Sequence, residues 1–418
     1  MLPSIVTDIA GQNVLELAGE FGTPCYVYDA AMIAQRIADL KAFDAIRYAQ
    51  KACSNLSVLA LCRRHGVVVD AVSTGELHRA RLAGCELAAS EHPQVVYTAD
   101  IFDRESLEAV VAERVAVNCG SPDMITQYGE RCPGRSITLR INPGFGHGHS
   151  QKTNTGGQQS KHGIWHTQLA ECRERAAAHD LTISGLHMHI GSGTDMQHLS
   201  QVCAAMEQAC RVIGPSIRSI SAGGGLPTPY RGTESPVDIG AYYELWNATR
   251  ERLASDFGHS VSLEIEPGRY LVAESGYLLT EVRAVKQMGD NQFVLVDAGF
   301  NNLARPIMYG SYHPMALCPA DGEGNRTTES VVVGGPLCES GDIFTQEEGG
   351  FVAHRDLPAA EVGDILIIGC AGAYGFVMSS NYNSKPLVAE VLIEDGAARL
   401  VRQRQTVDDI VRGEVVPA

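Results

Sequence analysis

The sequence predicts an α/β protein in which a (β/α)8 TIM barrel is followed by a mostly antiparallel domain of β-barrel-like or sandwich type. Eight strand-length runs rich in Val or Ile lie at 45–52, 67–73, 95–100, 115–120, 136–142, 183–190, 218–225 and 262–268. Helical spacing of apolar residues fills intervals such as 57–65, 75–83, 104–113, 168–179, 198–213 and 241–257. Strand then helix, eight times over, closes a parallel barrel. An open doubly wound sheet shares this alternation, but no G-x-G-x-x-G opens a helix after the first strand, and a count of eight favours closure. After about residue 272 the texture changes: runs at 277–287, 292–297, 330–334, 364–369 and 386–402 alternate or are β-branched, with little helix between them.

Taken in chain order, residues 1–25 fit neither pattern and are expected to add an element to the β domain. A helix around Ile33, Ile37 and Leu40 precedes the first barrel strand. The barrel is assigned to 26–272, and 1–25 with 273–418 to the second domain. Between the fifth strand and the next helix, Pro143 to Trp165 is long, Gly-rich, polar and basic, the composition of a lid or of a disordered loop. Ile365 to Met378 is the longest uncharged apolar stretch, interrupted by Gly369, Gly372 and Gly375, and reads as a buried strand and turn. Val407 to Arg412 closes the chain as a short helix.

Hydrophobic residues make up 44% and charged residues 20% of the 418, which excludes a disordered chain or a coiled coil. Thirty-three Lys and Arg against 49 Asp and Glu leave a net charge of -16. Such a surface repels phosphate backbones and anionic headgroups, so neither nucleic acid nor a membrane is expected as partner. No basic residue precedes Arg36, so the usual secretory n-region is missing, and no run is long enough to span a bilayer. Twelve cysteines scattered from Cys25 to Cys370, without a C-x-x-C, read as free thiols in a reducing compartment. The expectation is a cytoplasmic protein with neither a disulfide framework nor a metal site.

Active sites of such barrels lie at the carboxyl ends of the strands, and the residues falling there are unusually polar. The first strand offers Lys51, the second Asp70 and Ser73, and the fifth Arg140 and Asn142. The sixth offers His187 and His189, the seventh Gly223 to Gly225, and the eighth Glu266 and Arg269. Lys51 sits in the apolar run YAQKA, where desolvation would favour the free amine and make it a Schiff-base nucleophile; alone it would read as a snorkelling lysine. His187 and His189, two apart, face the same side of a strand. They suit a metal, joined by His147, His149 or His162, or an imidazole stacked on an aromatic cofactor, or a structural role. Gly191-Ser192-Gly193 and Gly223-Gly224-Gly225 are turns whose amides suit phosphate, although a tight turn explains either one. A carboxylate at Glu266 needs a positive partner; Arg269 or a protonated ring nitrogen would serve. Amine, carboxylate, imidazole and phosphate-binding turns together match one cofactor, pyridoxal 5'-phosphate.

The strings RYAQKACSN (47–55), NPGFGHGHSQKTNTGG (142–157), HMHIGSG (187–193), SAGGGL (221–226), EIEPGRY (264–270), RPIMYGSYH (305–313), GPLCESGD (335–342) and GAYG (372–375) resemble the diaminopimelate decarboxylase family, of the alanine-racemase-like fold group. The resemblance runs over nearly the whole chain. Cys53 stands where most relatives carry asparagine, and the Gly/His loop resembles one bacterial branch. The resemblance implies Lys51 as the Schiff-base lysine, His189 stacked on the cofactor ring and Glu266 on the pyridine nitrogen. It places Ser192, Gly224, Gly225, Gly268 and Arg269 around the phosphate. It further implies that Arg269, Arg305 and Tyr309 hold a substrate carboxylate, that Glu339 binds the distal amino group, and that Tyr374 lies near cofactor and substrate. Cys338 and Glu339 would reach in from the partner subunit of a homodimer. The implied reaction is decarboxylation of meso-2,6-diaminopimelate at its D-centre to L-lysine, the last step of lysine biosynthesis, with Cys338, Lys51 or water as proton donor. Racemases of the fold group place arginine where Glu266 stands, which favours decarboxylation here. Decarboxylases of arginine, ornithine or carboxynorspermidine would share the cofactor residues and differ around Arg305, Tyr309 and Glu339.

Overall fold

The computed structural model of the protein describes residues 2–90, 92–146, 156–189, 196–322, 324–347 and 349–417. Its contacts divide into two compact units, one of residues 35–227 with 236–270, the other of 1–34, 228–235 and 271–418.

The first unit is the expected parallel barrel. Its strands are Ala45–Ala49, Val68–Ala71, Val95–Ala99, Ala116–Cys119, Ser136–Asn142, Thr182–His187, Ser219–Ser221 and Ser262–Ile265. Each pairs in parallel with the next, and the eighth returns to the first through Glu264 opposite Ala45 and Ile265 opposite Ile46. Several strands are buried on both faces and so carry continuous Val/Ile runs instead of alternation, as parallel sheets require. The fifth strand matches its expected run, and the other seven end before theirs. In the first, sixth, seventh and eighth, the residues just past the strand turn into the loops that carry the polar groups.

Five of the connecting helices are capped by the residues that precede them. Asn55, Ser73, Asp103, Ser121 and Asp238 each accept a backbone N–H in the first turn of the helix that follows. One helix absent from the sequence-based outline, Pro122–Arg131, begins with Ser121 as cap and Pro122 in its first turn, a signal that its polar composition obscured.

The second unit is a nine-stranded sheet among the described residues. Gly276–Met288, thirteen residues long, is its spine. It pairs antiparallel with Asn291–Val296 at one end, and with Ile365–Ile368 and Cys25–Asp29 at the other. The hairpin Ala389–Glu394 and Ala397–Arg402 and the strands Met315–Cys318, Thr328–Gly334 and Arg355–Pro358 complete it. The parallel pairs are Cys25–Asp29 with Ala389–Glu394, and Asn291–Val296 with Thr328–Gly334. Alternate residues Cys25 and Val27, Ile365 and Ile367, and Ala389, Val391 and Ile393 share one buried cluster, since a strand sends every second side chain to the same face. Met315–Cys318 (MALC) holds no β-branched residue, and Arg355–Pro358 (RDLP) opens with two charges and ends in proline, so neither read as a strand. The terminal helix is present at Val407–Val411, with Thr406 and Asp409 forming a capping box.

Candidate active site

Strand register assembles the polar residues at one end of the barrel. Arg140 lies opposite His187, His187 opposite Ser221, and Ser221 opposite Glu264, two residues before Glu266. On the other side Ala49, which leads into Lys51, lies opposite Asp70. Residues far apart in the chain, from Ala49 to Glu266, thus meet at one end of a closed sheet.

Glu266 is the centre of this group. It is buried; Oε1 accepts the Ser221 hydroxyl at 2.7 Å, and Oε2 lies 3.3 Å from His187 Nε2. Burial pushes its pKa up, while Ser221, Arg47, Arg140 and Lys51 pull it back. Asp70, also buried, is pushed up to about 8 by burial and by the neighbouring Glu266. Two buried acids facing one another hold protons more tightly than exposed carboxyls do.

His187 sits against Asn118, with Nδ1 and Nδ2 2.7 Å apart. Donation from that amide makes Nδ1 the acceptor and leaves the proton on Nε2, toward Glu266. His189 Nδ1 accepts the Gly224 N–H at 2.7 Å, so its proton too resides on Nε2. Burial holds both imidazoles well below the ordinary value of 6.5, with Arg140 and Lys51 adding to the effect. Both rings are therefore neutral, and their planes are tilted by 58°. Among the described residues no cluster of three His, Cys, Asp or Glu has metal-binding geometry. His147, His149 and Ser192 lie outside the described residues.

The glycines here are imposed by close approach. A Cβ on Gly224 would lie 2.5 Å from the Glu266 carbonyl oxygen and 3.1 Å from His189 Cε1, and Gly225 has φ +92°. A Cβ on Gly268 would lie 3.2 to 3.3 Å from Ala49 and Ala52, and Arg269, half-buried, opens the short helix Arg269–Val272.

Three residues expected at this mouth differ from the expectation. Lys51 is exposed and not desolvated, because the chain leaves the strand at Ala49 and carries Lys51 on a 3-10 turn. Ser73 caps the helix Thr74–Leu82 by accepting the Glu76 N–H, a role that occupies its oxygen. Asn142 is the base of the Gly/His loop: its Oδ1 accepts from Gly144 and Gly157, and its Nδ2 donates to the carbonyls of Gly157 and His162. Asn118 and Ser221 were not singled out from sequence. A polar residue inside an apolar strand (AVNC, SIS) was the available signal.

The second unit carries the other candidates. Arg305, buried, and Tyr309, half-buried, lie one turn apart on the helix Arg305–Tyr309. Cys338 and Glu339 are exposed on a turn, with the Cys338 N–H donating to Asn383 and Glu339 accepting the Tyr382 hydroxyl at 3.4 Å. Tyr374 is held at φ +57°, where a side chain is strained. Added Cβ atoms on its neighbours Gly372 and Gly375 would collide with the Val272 and Ala371 carbonyl oxygens. The tight turn thus leaves Tyr374 to absorb the left-handed conformation, a device common at binding sites.

The pyridoxal-binding domain of the pyridoxal-dependent decarboxylases matches residues 30–273. Diaminopimelate decarboxylase of Escherichia coli (strain K12) is 54% identical over 413 residues, 98% of this chain and 98% of the relative. A crystal structure of a diaminopimelate decarboxylase at 53% identity covers 99% of each chain with a TM-score of 0.94. The Helicobacter pylori diaminopimelate decarboxylase complexed with L-lysine, 29% identical, covers 96% of this chain and 98% of its own with a TM-score of 0.84.

Proposed function

The chain belongs to the diaminopimelate decarboxylases, pyridoxal-dependent enzymes that convert meso-2,6-diaminopimelate to L-lysine and carbon dioxide, and from that premise we propose how its residues divide the work. Pyridoxal phosphate, when bound, supplies an electron sink for the pair left by the departing carbon dioxide.

The donor set suits that cofactor. Lys51 presents a primary amine at the barrel mouth for the aldehyde, and His189 a neutral imidazole for the ring face. Gly224, Gly225, Gly268 and Arg269, with Ser192, supply the amides, hydroxyl and cation of a phosphate cradle. The observation that carries the reading is the carboxyl of Glu266: buried, accepting the Ser221 hydroxyl, with His187 Nε2 3.3 Å away. Such an acid holds a proton at a basic ring nitrogen, and that proton is what decarboxylation needs and racemisation avoids.

Arg305 and Tyr309, with Arg269, hold the carboxylate that remains on the product. A guanidinium on the departing carboxylate would oppose its loss of charge, whereas one on the retained group binds without slowing the step. L-lysine, the ligand of the Helicobacter pylori relative, retains that group. Glu339 takes the distal amino group, Tyr374 lines cofactor and substrate, and Cys338 stands as one source of the replacing proton. Cys338 and Glu339 act from the partner subunit of a homodimer, and scattered free thiols support a cytoplasmic enzyme.

Two measurements test this together. Purified protein with pyridoxal phosphate and meso-2,6-diaminopimelate yields lysine and carbon dioxide in equal amounts. Borohydride reduction followed by peptide mapping labels Lys51; a label on any other amine overturns the assignment.

A further inference from the structure

We infer that His313 is a positioning residue for the substrate carboxylate site, holding the Arg305 guanidinium through a neutral, Nδ1-protonated imidazole. The inference rests on the role proposed above for Arg305.

His313 is 1% exposed. Its Nδ1 lies 3.1 Å from the Gly369 carbonyl oxygen, and its Nε2 lies 3.1 Å from Arg305 Nη1. A carbonyl can only accept, so Nδ1 carries the proton. A guanidinium can only donate, so Nε2 must offer its lone pair. Both bonds form together in one tautomer of the neutral ring. The imidazolium would satisfy Gly369 but set a second N–H donor against Arg305.

The anchor at the far end of this relay is rigid. Gly369 follows the strand Ile365–Ile368, which is paired on both sides, and its N–H donates to the Pro314 carbonyl at 2.8 Å. His313 therefore transmits the position of a central strand to a side chain with several free rotations. A second contact fixes the face of the guanidinium: Arg305 lies over the Tyr230 ring at 4.9 Å, and that ring meets His313 edge-on at 5.4 Å. With one edge on His313 and one face on Tyr230, the plane of Arg305 is set, and its remaining N–H groups point in a defined direction. A planar, two-pronged donor recognises a carboxylate only when its plane is right.

The test uses the holoenzyme and reads KM for meso-2,6-diaminopimelate, kcat, the inhibition constant for L-lysine and the cofactor absorption spectrum. His313→Phe keeps the ring volume and removes both polar atoms. We expect KM and the lysine inhibition constant to rise together by about 10-fold or more, with kcat within about threefold and the spectrum unchanged. His313→Gln, whose amide accepts at one end and donates at the other, recovers most of the loss. His313→Asn is too short to span both partners and gives the same increase should the Phe variant fail to fold. Unchanged KM and inhibition constants in the Phe or Asn variant, or a fall in kcat alone, overturn the inference while Arg305→Ala still raises both constants. If Arg305→Ala leaves both constants unchanged, the underlying reading of Arg305 fails instead.

Discussion

Two buried carboxyls, Asp70 and Glu266, both influenced by the charge of Lys51, mark the barrel mouth. Glu266 accepts the Ser221 hydroxyl and lies beside the His187 imidazole, and in the role proposed for it the carboxyl serves a ring nitrogen. Replacing Glu266 by Ala is expected to lower kcat about 100-fold or more, as removal of one preorganised electrostatic group does elsewhere; steady-state turnover near the wild-type value would refute the role. Asp70 makes a different prediction, one that concerns stability. Its carboxyl binds a proton more tightly folded than unfolded, from an ordinary 3.8 up to about 8. It therefore favours the fold below pH 3.8, and that contribution is lost as pH rises through about 8. Asp70→Asn removes the loss. The cofactor-free variant should gain on wild type by on the order of a few kcal/mol between pH 4 and 8, read as a growing difference in Tm. The depressed His187 and His189 act with the opposite sign in both proteins, so a difference that stays flat with pH counts against Asp70. Lys51, His189 and Glu266 were legible as candidates because each follows a strand end in a barrel. Ser73 misled for the same reason: a hydroxyl after a strand serves equally well as a helix cap.

Among the elements, turns decide more of the site than strands do. The Gly223–Gly225 turn lets the backbone pass between Glu266 and His189, and the Gly224 N–H fixes the His189 tautomer. Gly224→Ala places a methyl 2.5 Å from the Glu266 carbonyl oxygen. We expect at least about 10-fold weaker cofactor retention from this displaced backbone, followed by titration at the cofactor absorption band. Gly324→Ala, where a Cβ meets nothing within 4 Å, serves as the neutral control. Equal retention in the two variants would remove the turn from the site. The eight barrel strands were legible because parallel strands buried on both faces are continuous apolar runs. Met315–Cys318, Arg355–Pro358 and the polar helix Pro122–Arg131 were not, since none has the composition usual for its element.

For the molecule as a whole, the proposal that Cys338 and Glu339 serve the site of a second copy makes assembly part of catalysis. Lys51→Ala and Cys338→Ala proteins, each nearly inactive, should complement when unfolded together and refolded. Random pairing restores about a quarter of the wild-type sites in a twofold dimer. Absence of recovery in mixtures shown by sedimentation to be dimeric would place both residues in one subunit's site. The sequence alone determined the barrel, the change to an antiparallel domain and the residue types at the strand ends, because these follow from local periodicity and from chain order. Only the tertiary structure decided which partner each polar group obtained. Glu266 meets Ser221 and His187, Arg305 meets His313 and Tyr230, Lys51 stands in solvent, and Cys25–Asp29 joins the second sheet. The reason is physical: barrel closure and strand register bring together groups far apart in the chain, and hydrogen-bond donors and acceptors are matched by position in space, which no local pattern encodes.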